Sequence, residues 1–114
     1  MSRVVVMRVE DADAEISIIE PADRLSGAPR IRVWSMDASE QSLSAGIWEA
    51  TPGKWRFANP HWEYFHVVEG HSVVTEDDGA SYTLRAGDGL ILRAGFSGTW
   101  EVIETTRKEF VIRD

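Results

Sequence analysis

Short segments with strand character, separated by turn signals, fill most of this chain and constrain its fold more than any other feature. In residues 30–34 (Arg-Ile-Arg-Val-Trp), charged and apolar side chains alternate with a period of two, as on a half-buried strand. The segments are separated by glycine, proline and aspartate clusters such as Thr51-Pro52-Gly53. Short strands at this spacing predict an all-β sandwich or barrel. The predicted strands cover residues 3–9, 30–34, 46–50, 54–57, 62–68, 72–75, 81–85, 90–92, 99–104 and 108–112.

The first quarter of the chain has a different pattern. It contains several isoleucines, but Pro21 would limit any helix there to one or two turns. We therefore predict that residues 10–29 form an arm or loop that packs on the barrel or on a second subunit. No repeat or linker divides the chain. We predict a single domain over residues 1–114, with an N-terminal strand and arm in residues 1–29 and the barrel in residues 30–114.

Composition excludes several kinds of site. The chain contains no cysteine, which rules out a disulfide framework, a thiolate zinc site, an iron–sulfur cluster and a cysteine nucleophile. The net charge of −7 would repel the phosphates of nucleic acid, so we predict no nucleic-acid partner. No apolar run reaches the roughly 18 residues of a membrane span, so we predict no membrane partner. The N-terminal apolar stretch is too short for a secretory signal, and we predict a cytoplasmic location.

Two stretches carry a more specific signal. In residues 63–70, a glutamate is followed by six residues and a glycine. In residues 87–95, a glycine is followed by five residues and then by Arg93-Ala94-Gly95. The two motifs, joined by a short hairpin, resemble the paired motifs of the RmlC-like cupin superfamily, with arginine where that family usually has proline. We place motif 1 at about residues 55–70 and motif 2 at about residues 87–102.

Two longer stretches make the resemblance more specific, to one subgroup of cupins. The runs GIWEATPGKW and GFSGTWEVIETTRKEFVI resemble small single-domain cupins related to (S)-ureidoglycine aminohydrolase and to the ethanolamine-utilisation cupin. The resemblance implies an all-β, single-domain RmlC-like cupin jelly-roll barrel with a pocket in the barrel mouth. It also implies a homodimer, for which the valine-rich residues 3–9 are a candidate pairing strand.

Most of the usual metal ligands of the cupin family are missing. By the resemblance, a His-x-His pair would fall within residues 56–59 and another histidine at Gly98, and none of these positions is histidine. Only Glu63 matches, so we predict no metal site of the usual cupin type. If a divalent ion binds, His61 and Glu63 would hold it weakly, because two ligands do not make a tight site. Further candidate ligands are His71 and Glu49.

Glu63 and His61 also have an interpretation without a metal. They are two residues apart, and the alternation of the strand predicted at residues 62–68, extended back to His61, directs both towards the lumen, whereas His66 should point outward. A carboxylate beside an imidazole suits acid–base chemistry, and these two are our candidate catalytic residues. The opposing interpretation is that Glu63 forms a structural ion pair with a cation of the chain, for which the candidates are Lys54, Arg56 and Arg93.

We predict a ligand pocket around Glu63, lined by Lys54, Trp55, Phe65 and Trp100. The predicted partner is a small polar metabolite bound in the barrel mouth. One hypothesis is an aminohydrolase-like enzyme that acts on this metabolite. The alternative is a non-catalytic cupin that binds or senses a ligand, or serves as an accessory protein. The sequence alone does not choose between them.

Overall fold

The computed structural model describes residues 2–114 and consists almost entirely of β-strands. After a 3-10 turn at Val9–Asp11, every pairing among the described strands is antiparallel. No helix in this part of the chain is long and apolar enough to cross a membrane. The strands are β1 (Glu15–Ile18), β2 (Arg24–Gly27), β3 (Arg30–Asp37), β4 (Leu43–Ala50), β5 (Gly53–Asn59), β6 (Trp62–Glu76), β7 (Ser81–Arg85), β8 (Gly89–Leu92) and β9 (Phe96–Arg113).

Two long strands, β6 and β9, organise the sheet by pairing with each other along most of their length. The other edge of β9 pairs first with β5 and then with β4. The other edge of β6 pairs first with β8 and then with β7. On its second edge, each long strand therefore pairs with two different strands in succession. The sheet curls around one interior. This architecture confirms the predicted all-β fold.

A glycine bulge joins two segments that the sequence predicts as separate strands. The structure continues β6 through residues 69–71, where its register against β9 shifts. Gly70 has a φ of +100°, and a Cβ there would lie 2.2 Å from the carbonyl oxygen of Thr105. Only glycine fits this left-handed conformation so close to the neighbouring backbone. The break predicted between residues 68 and 72 is therefore a bulge within one strand.

The N-terminal quarter differs from the prediction. Residues 3–9, predicted as a strand, form none in the structure, and the segment 10–29, predicted as an arm or loop, contains β1 and β2. Residues 3–9 pair with no described strand, so their β-propensity has no ladder to join. Met7 and Val9 instead line a groove on the outer face of the barrel. The homodimer and the cytoplasmic location stay predictions.

The apolar core lies inside the curled sheet. Along β6, the buried Glu63, Phe65 and Val67 alternate with the more exposed Trp62 and Tyr64, as a strand with one face inward requires. The same period of two places buried side chains along β9 and β5 on the same interior. The core cluster is Ala50, Trp55, Phe65, Val67, Val74, Leu84, Leu92, Trp100, Val102 and Phe110.

Candidate functional site

A cavity of about 400 Å³ opens beside this core. Its volume and its few polar groups on apolar walls are typical of small-molecule sites. The apolar walls are formed by Ile31, Val33, Trp48, Trp55, Phe57, Trp100, Phe110 and Ile112. The polar side chains of the lining are Asn59, His61, Glu63 and Lys108.

A buried ion pair forms the polar end of the cavity. The Nζ atom of Lys108 on β9 lies 3.0 Å from Oε2 of Glu63 on β6, and the two side chains are 6% and 9% exposed. Asn59 Nδ2 donates a hydrogen bond of 3.0 Å to Oε1 of the same carboxylate. Asn59 is itself oriented by the backbone N–H of His61, which donates to its Oδ1. Both oxygens of Glu63 are therefore hydrogen-bonded within the chain.

Three aromatic rings surround the ammonium of Lys108. Its Nζ lies 4.1 Å from the ring centroid of Phe65 and 4.6 Å from those of Trp48 and Trp100. Ring faces attract a cation at such distances, but they accept no conventional hydrogen bond. An ammonium has three N–H donors, and among the described residues Glu63 is its hydrogen-bond acceptor. Lys108 therefore holds donors that the protein leaves unused.

Burial affects the pKa of Lys108 more than its contact with Glu63 does. Removal from water lowers the pKa of its ammonium, while the charge and hydrogen bond of Glu63 raise it, and the net shift is downward from 10.5. A lysine in this setting releases its proton more readily than a lysine in water.

The register of three strands determines that Lys108 points into the barrel and that its chain neighbour Arg107 points out of it. Val33, Trp48 and Lys108 are opposite one another on β3, β4 and β9 and line the cavity. The adjacent row across the same strands consists of Arg32, Glu49 and Arg107. Because successive side chains of a strand point to opposite faces, this second row lies on the outside of the barrel.

The outer row forms an ion-pair network of its own. Arg107 donates to Oε2 of Glu49 at 2.8 and 3.0 Å, and Arg32 donates to Oε1. Both guanidinium groups lie over Trp34, at 4.9 and 5.3 Å from its ring centroid. Burial raises the pKa of Glu49, but the two arginines lower it by more, so the net shift is downward. Glu49, considered from sequence as a further metal ligand, is thus on the opposite face from Glu63.

Not all of the predicted pocket residues line the cavity. Trp55 and Trp100 line it, and Phe65 packs beneath the ammonium of Lys108. Phe65 itself is not part of the lining, and neither is Lys54, which differs from the prediction. Its neighbour Trp55 points inward, and the alternation along β5 sends Lys54 to the other face.

His61 lies at the rim of the cavity rather than on the strand. It occupies the bend before β6, so the period-two argument that paired it with Glu63 does not apply to it. Its Nδ1 contacts the Asp114 carboxylate, and its side chain is 43% exposed. Among the described hydrogen bonds, none joins the side chains of His61 and Glu63. The structure therefore does not form the acid–base pair expected from sequence.

The cation that pairs with Glu63 was missed by sequence reasoning. The candidates were Lys54, Arg56 and Arg93, whereas the observed partner is Lys108. The sequence does indicate that Lys108 points inward, because it is two residues from Phe110 and shares the buried face of β9 with it. The sequence alone does not show which residue of β9 lies beside Glu63, since that depends on the register between two distant strands.

The donor set of this cavity does not fit a divalent metal ion. Residues 2–114 contain no group of three or more His, Asp or Glu side chains placed to hold one. The one cupin ligand that the chain retains, Glu63, already binds the ammonium of Lys108 and the amide of Asn59. A cation of the chain thus occupies the carboxylate that a metal would need. The metal content itself stays a prediction.

A second depression of about 630 Å³ lies elsewhere, lined by residues of β6, β7 and β8. Its charged residues are Glu76, which accepts a hydrogen bond from Tyr82, and Arg93. No buried ion pair is found in this lining among the described residues. The cavity around Glu63 and Lys108 is therefore the stronger candidate for a functional site.

Comparison with known families gives the same fold. The family model for the EutQ-like cupin domain matches residues 37–110, which include both motifs and Lys108. The chain belongs to the EutQ-like cupin family. The predicted cupin jelly-roll fold is thereby confirmed for this EutQ-like cupin. No curated protein matches its sequence.

Solved structures agree with this EutQ-like cupin in fold. A Pseudomonas syringae protein of unknown function from the DUF861 family has a TM-score of 0.79 at 22% identity over 89% of this chain, which spans 43% of that protein. The Clostridium difficile EutQ protein has a TM-score of 0.68 at 18% identity, over 83% of this chain and 79% of that one. A Salmonella typhimurium structure described as a putative ethanolamine utilization protein Q has a TM-score of 0.68 at 13% identity, over 90% and 96%. Identities this low are evidence for a shared fold alone.

Proposed function

We propose that this EutQ-like cupin binds a small polar metabolite in its barrel cavity, with one polar group directed to the Glu63–Lys108 pair. The observation that carries the proposal is the ammonium of Lys108, which has unused donors in an otherwise apolar cavity. The remainder of the ligand would pack against the aromatic walls, which bind small molecules through large and rigid contact areas. Among residues 2–114, the buried indole N–H of Trp100, on the same wall, also has no acceptor.

The buried ion pair is better explained by ligand binding than by stability alone. Moving two charges out of water costs several kcal/mol per ion, and an apolar pair of similar volume is often at least as stable. Glu63 and Lys108 are nevertheless placed beside an open volume instead of being packed on all sides. A ligand group that accepts from Lys108 would use donors that folding leaves unsatisfied.

The charge of the cavity lining limits the class of ligand. Glu63 and Lys108 neutralise each other, and no other carboxylate or guanidinium lines the cavity among the described residues. A strongly charged ligand would therefore enter without a counter-ion on the walls, at a high cost in desolvation. A neutral molecule with an acceptor, such as a carbonyl, an amide or a hydroxyl, fits this cavity best.

Thermal shift with small aldehydes, ketones, amides and carboxylates tests the proposal. A ligand that binds only the folded state at 100 times its Kd stabilises that state by about 2.7 kcal/mol. Two neighbours on β9 provide matched variants: Ile112→Phe fills the cavity, and Val111→Phe changes the opposite face. We expect a neutral compound to raise the Tm of the wild type and of Val111→Phe, but not of Ile112→Phe. A shift that survives Ile112→Phe, a shift with the carboxylates alone, or no shift with any of the four classes would contradict the proposal.

Binding is common to the two functions considered from sequence. An aminohydrolase-like enzyme and a non-catalytic sensing cupin both need a ligand in the barrel, and thermal shift detects it without turnover. A change in the bound compound over time, followed by mass spectrometry, would then favour the enzyme.

A further inference from the structure

We propose that Lys108 forms a reversible imine with a small aldehyde or ketone in the barrel cavity, an inference that rests on the ligand-binding function proposed above. The chain has two lysines, Lys54 and Lys108, and only Lys108 contributes to the cavity lining. Its Nζ is enclosed by three aromatic rings and faces a single carboxylate. Lysines desolvated in apolar pockets are the ones that proteins use as carbonyl nucleophiles.

Glu63 is placed to accept the proton that Lys108 must lose and to return it later in the reaction. An ammonium has no lone pair, so Lys108 must first lose a proton before it can attack a carbonyl carbon. Oε2 of Glu63 lies 3.0 Å from Nζ, within the distance for direct proton transfer. Asn59 holds the other oxygen of Glu63 and thereby fixes the orientation of the carboxylate.

The reaction balances without any further reagent. Lys108 gives one proton to Glu63, and its lone pair forms a C–N bond as the carbonyl π pair moves to oxygen. One proton then moves from nitrogen to that oxygen, which gives a neutral carbinolamine. Glu63 returns its proton to the hydroxyl, the C–O bond breaks, and water leaves. The products are a protonated imine on Lys108 and a carboxylate on Glu63, so the net charge of the cavity is unchanged.

This conservation of charge favours a carbonyl compound over other neutral ligands. The protonated imine carries the same positive charge as the ammonium and stays opposite Glu63, so no unpaired charge is created in a desolvated site. The cavity volume of about 400 Å³ and its walls limit the compound to a small one with an apolar or aromatic substituent.

Reductive trapping with benzaldehyde tests the inference on the wild-type protein. Sodium cyanoborohydride converts an imine to a stable secondary amine, which peptide mapping by mass spectrometry assigns to Lys108, Lys54 or the N-terminal amine. We expect Lys108 to be labelled faster than Lys54, because Lys108 lines the cavity that would hold the aldehyde beside Glu63 and Lys54 does not. Labelling of Lys54 at an equal or higher rate would overturn the inference.

Variants and a non-reactive ligand separate this inference from the binding proposal. Ile112→Phe should abolish labelling of Lys108 and Val111→Phe should preserve it, whereas the labelling of Lys54 should be the same in both. Benzyl alcohol, which cannot form an imine, should protect Lys108 by competition.

If benzaldehyde raises the Tm of the wild type but leaves Lys108 unlabelled, the imine is refuted and the binding proposal stands. If benzaldehyde neither raises the Tm nor labels Lys108, the imine is also refuted, and the other compound classes then decide the binding proposal.

Discussion

Two glutamates, one on each face of the barrel wall, are each held by cations of the same chain in different ways. Glu49 on the outer face has both oxygens bound by arginines whose side chains are 28% and 46% exposed. Glu63 on the inner face shares its carboxylate between the ammonium of Lys108, 6% exposed, and the amide of Asn59. The outer carboxylate thus has two cations that remain in contact with water, and the inner one has a single cation that does not.

The difference separates an ion-pair network suited to joining strands from an ion pair placed beside a cavity. Guanidinium groups match a carboxylate geometrically, stack on Trp34 and keep their charge, so the outer network fastens β3, β4 and β9. For the single ammonium of Lys108, the cost of removing the charge from water offsets much of the stability that the ion pair contributes, and some of its N–H donors stay unused. The inner pair is therefore the one whose properties a ligand can change.

The largest expected effect is the loss of the inner cation. Lys108→Met leaves the carboxylate of Glu63 buried without a counter-ion, and breaking such a pair costs about 3–5 kcal/mol. We expect a fall of this size in the free energy of unfolding, measured by urea denaturation at neutral pH. The double variant Glu63→Leu with Lys108→Met should regain most of it, because no uncompensated charge remains.

Lys54→Met is the matched control for this prediction, since it removes the chain's other lysine from outside the cavity. It should change the free energy of unfolding by no more than about 0.5 kcal/mol, as surface substitutions usually do. Equal stability of Lys108→Met and Lys54→Met would show that Glu63 does not depend on Lys108, and the comparison of the two glutamates would fail.

A smaller effect is expected at the outer glutamate. Glu49→Gln keeps the shape of the side chain but weakens its bonds to two partly exposed arginines, so we expect a loss of about 1 kcal/mol, reduced by solvent screening. The folded pKa of Glu49 lies below its usual 4.5, so its stabilisation is fully present above that value. It is lost as the pH falls through the folded pKa. The difference between wild type and Glu49→Gln, measured by denaturation from pH 7 downward, should therefore shrink in acid and not at neutral pH.

The fold could be predicted from this sequence much further than the site. Strand period and turn signals locate most strands of the barrel, and the two motifs locate Glu63 on an inward strand. The strand predicted at residues 3–9 fails because propensity does not supply a pairing partner. Lys108 was missed for a related reason, since its place beside Glu63 depends on the register between β6 and β9 across 45 residues of chain. His61 was misplaced because the alternation of β6 does not extend to the bend that precedes it.

The smallest expected effect distinguishes the two glutamates by their response to salt. The Debye length falls from about 10 Å at 0.1 M to about 3 Å at 1 M, and screening acts mainly on charges in contact with water. Double-mutant cycles, with Glu49→Gln and Arg107→Gln for the outer pair and Glu63→Gln and Lys108→Met for the inner one, measure the coupling at each concentration. The outer coupling, in which the side chain of Arg107 is 28% exposed, should fall by a few tenths of a kcal/mol, on the order of what salt removes from partly exposed pairs. The inner coupling should be unchanged, since no mobile ion can enter between Lys108 and Glu63. An inner coupling that falls as much as the outer one would mean that water and salt reach Lys108, and its ammonium would then lack the desolvation on which its proposed chemistry depends.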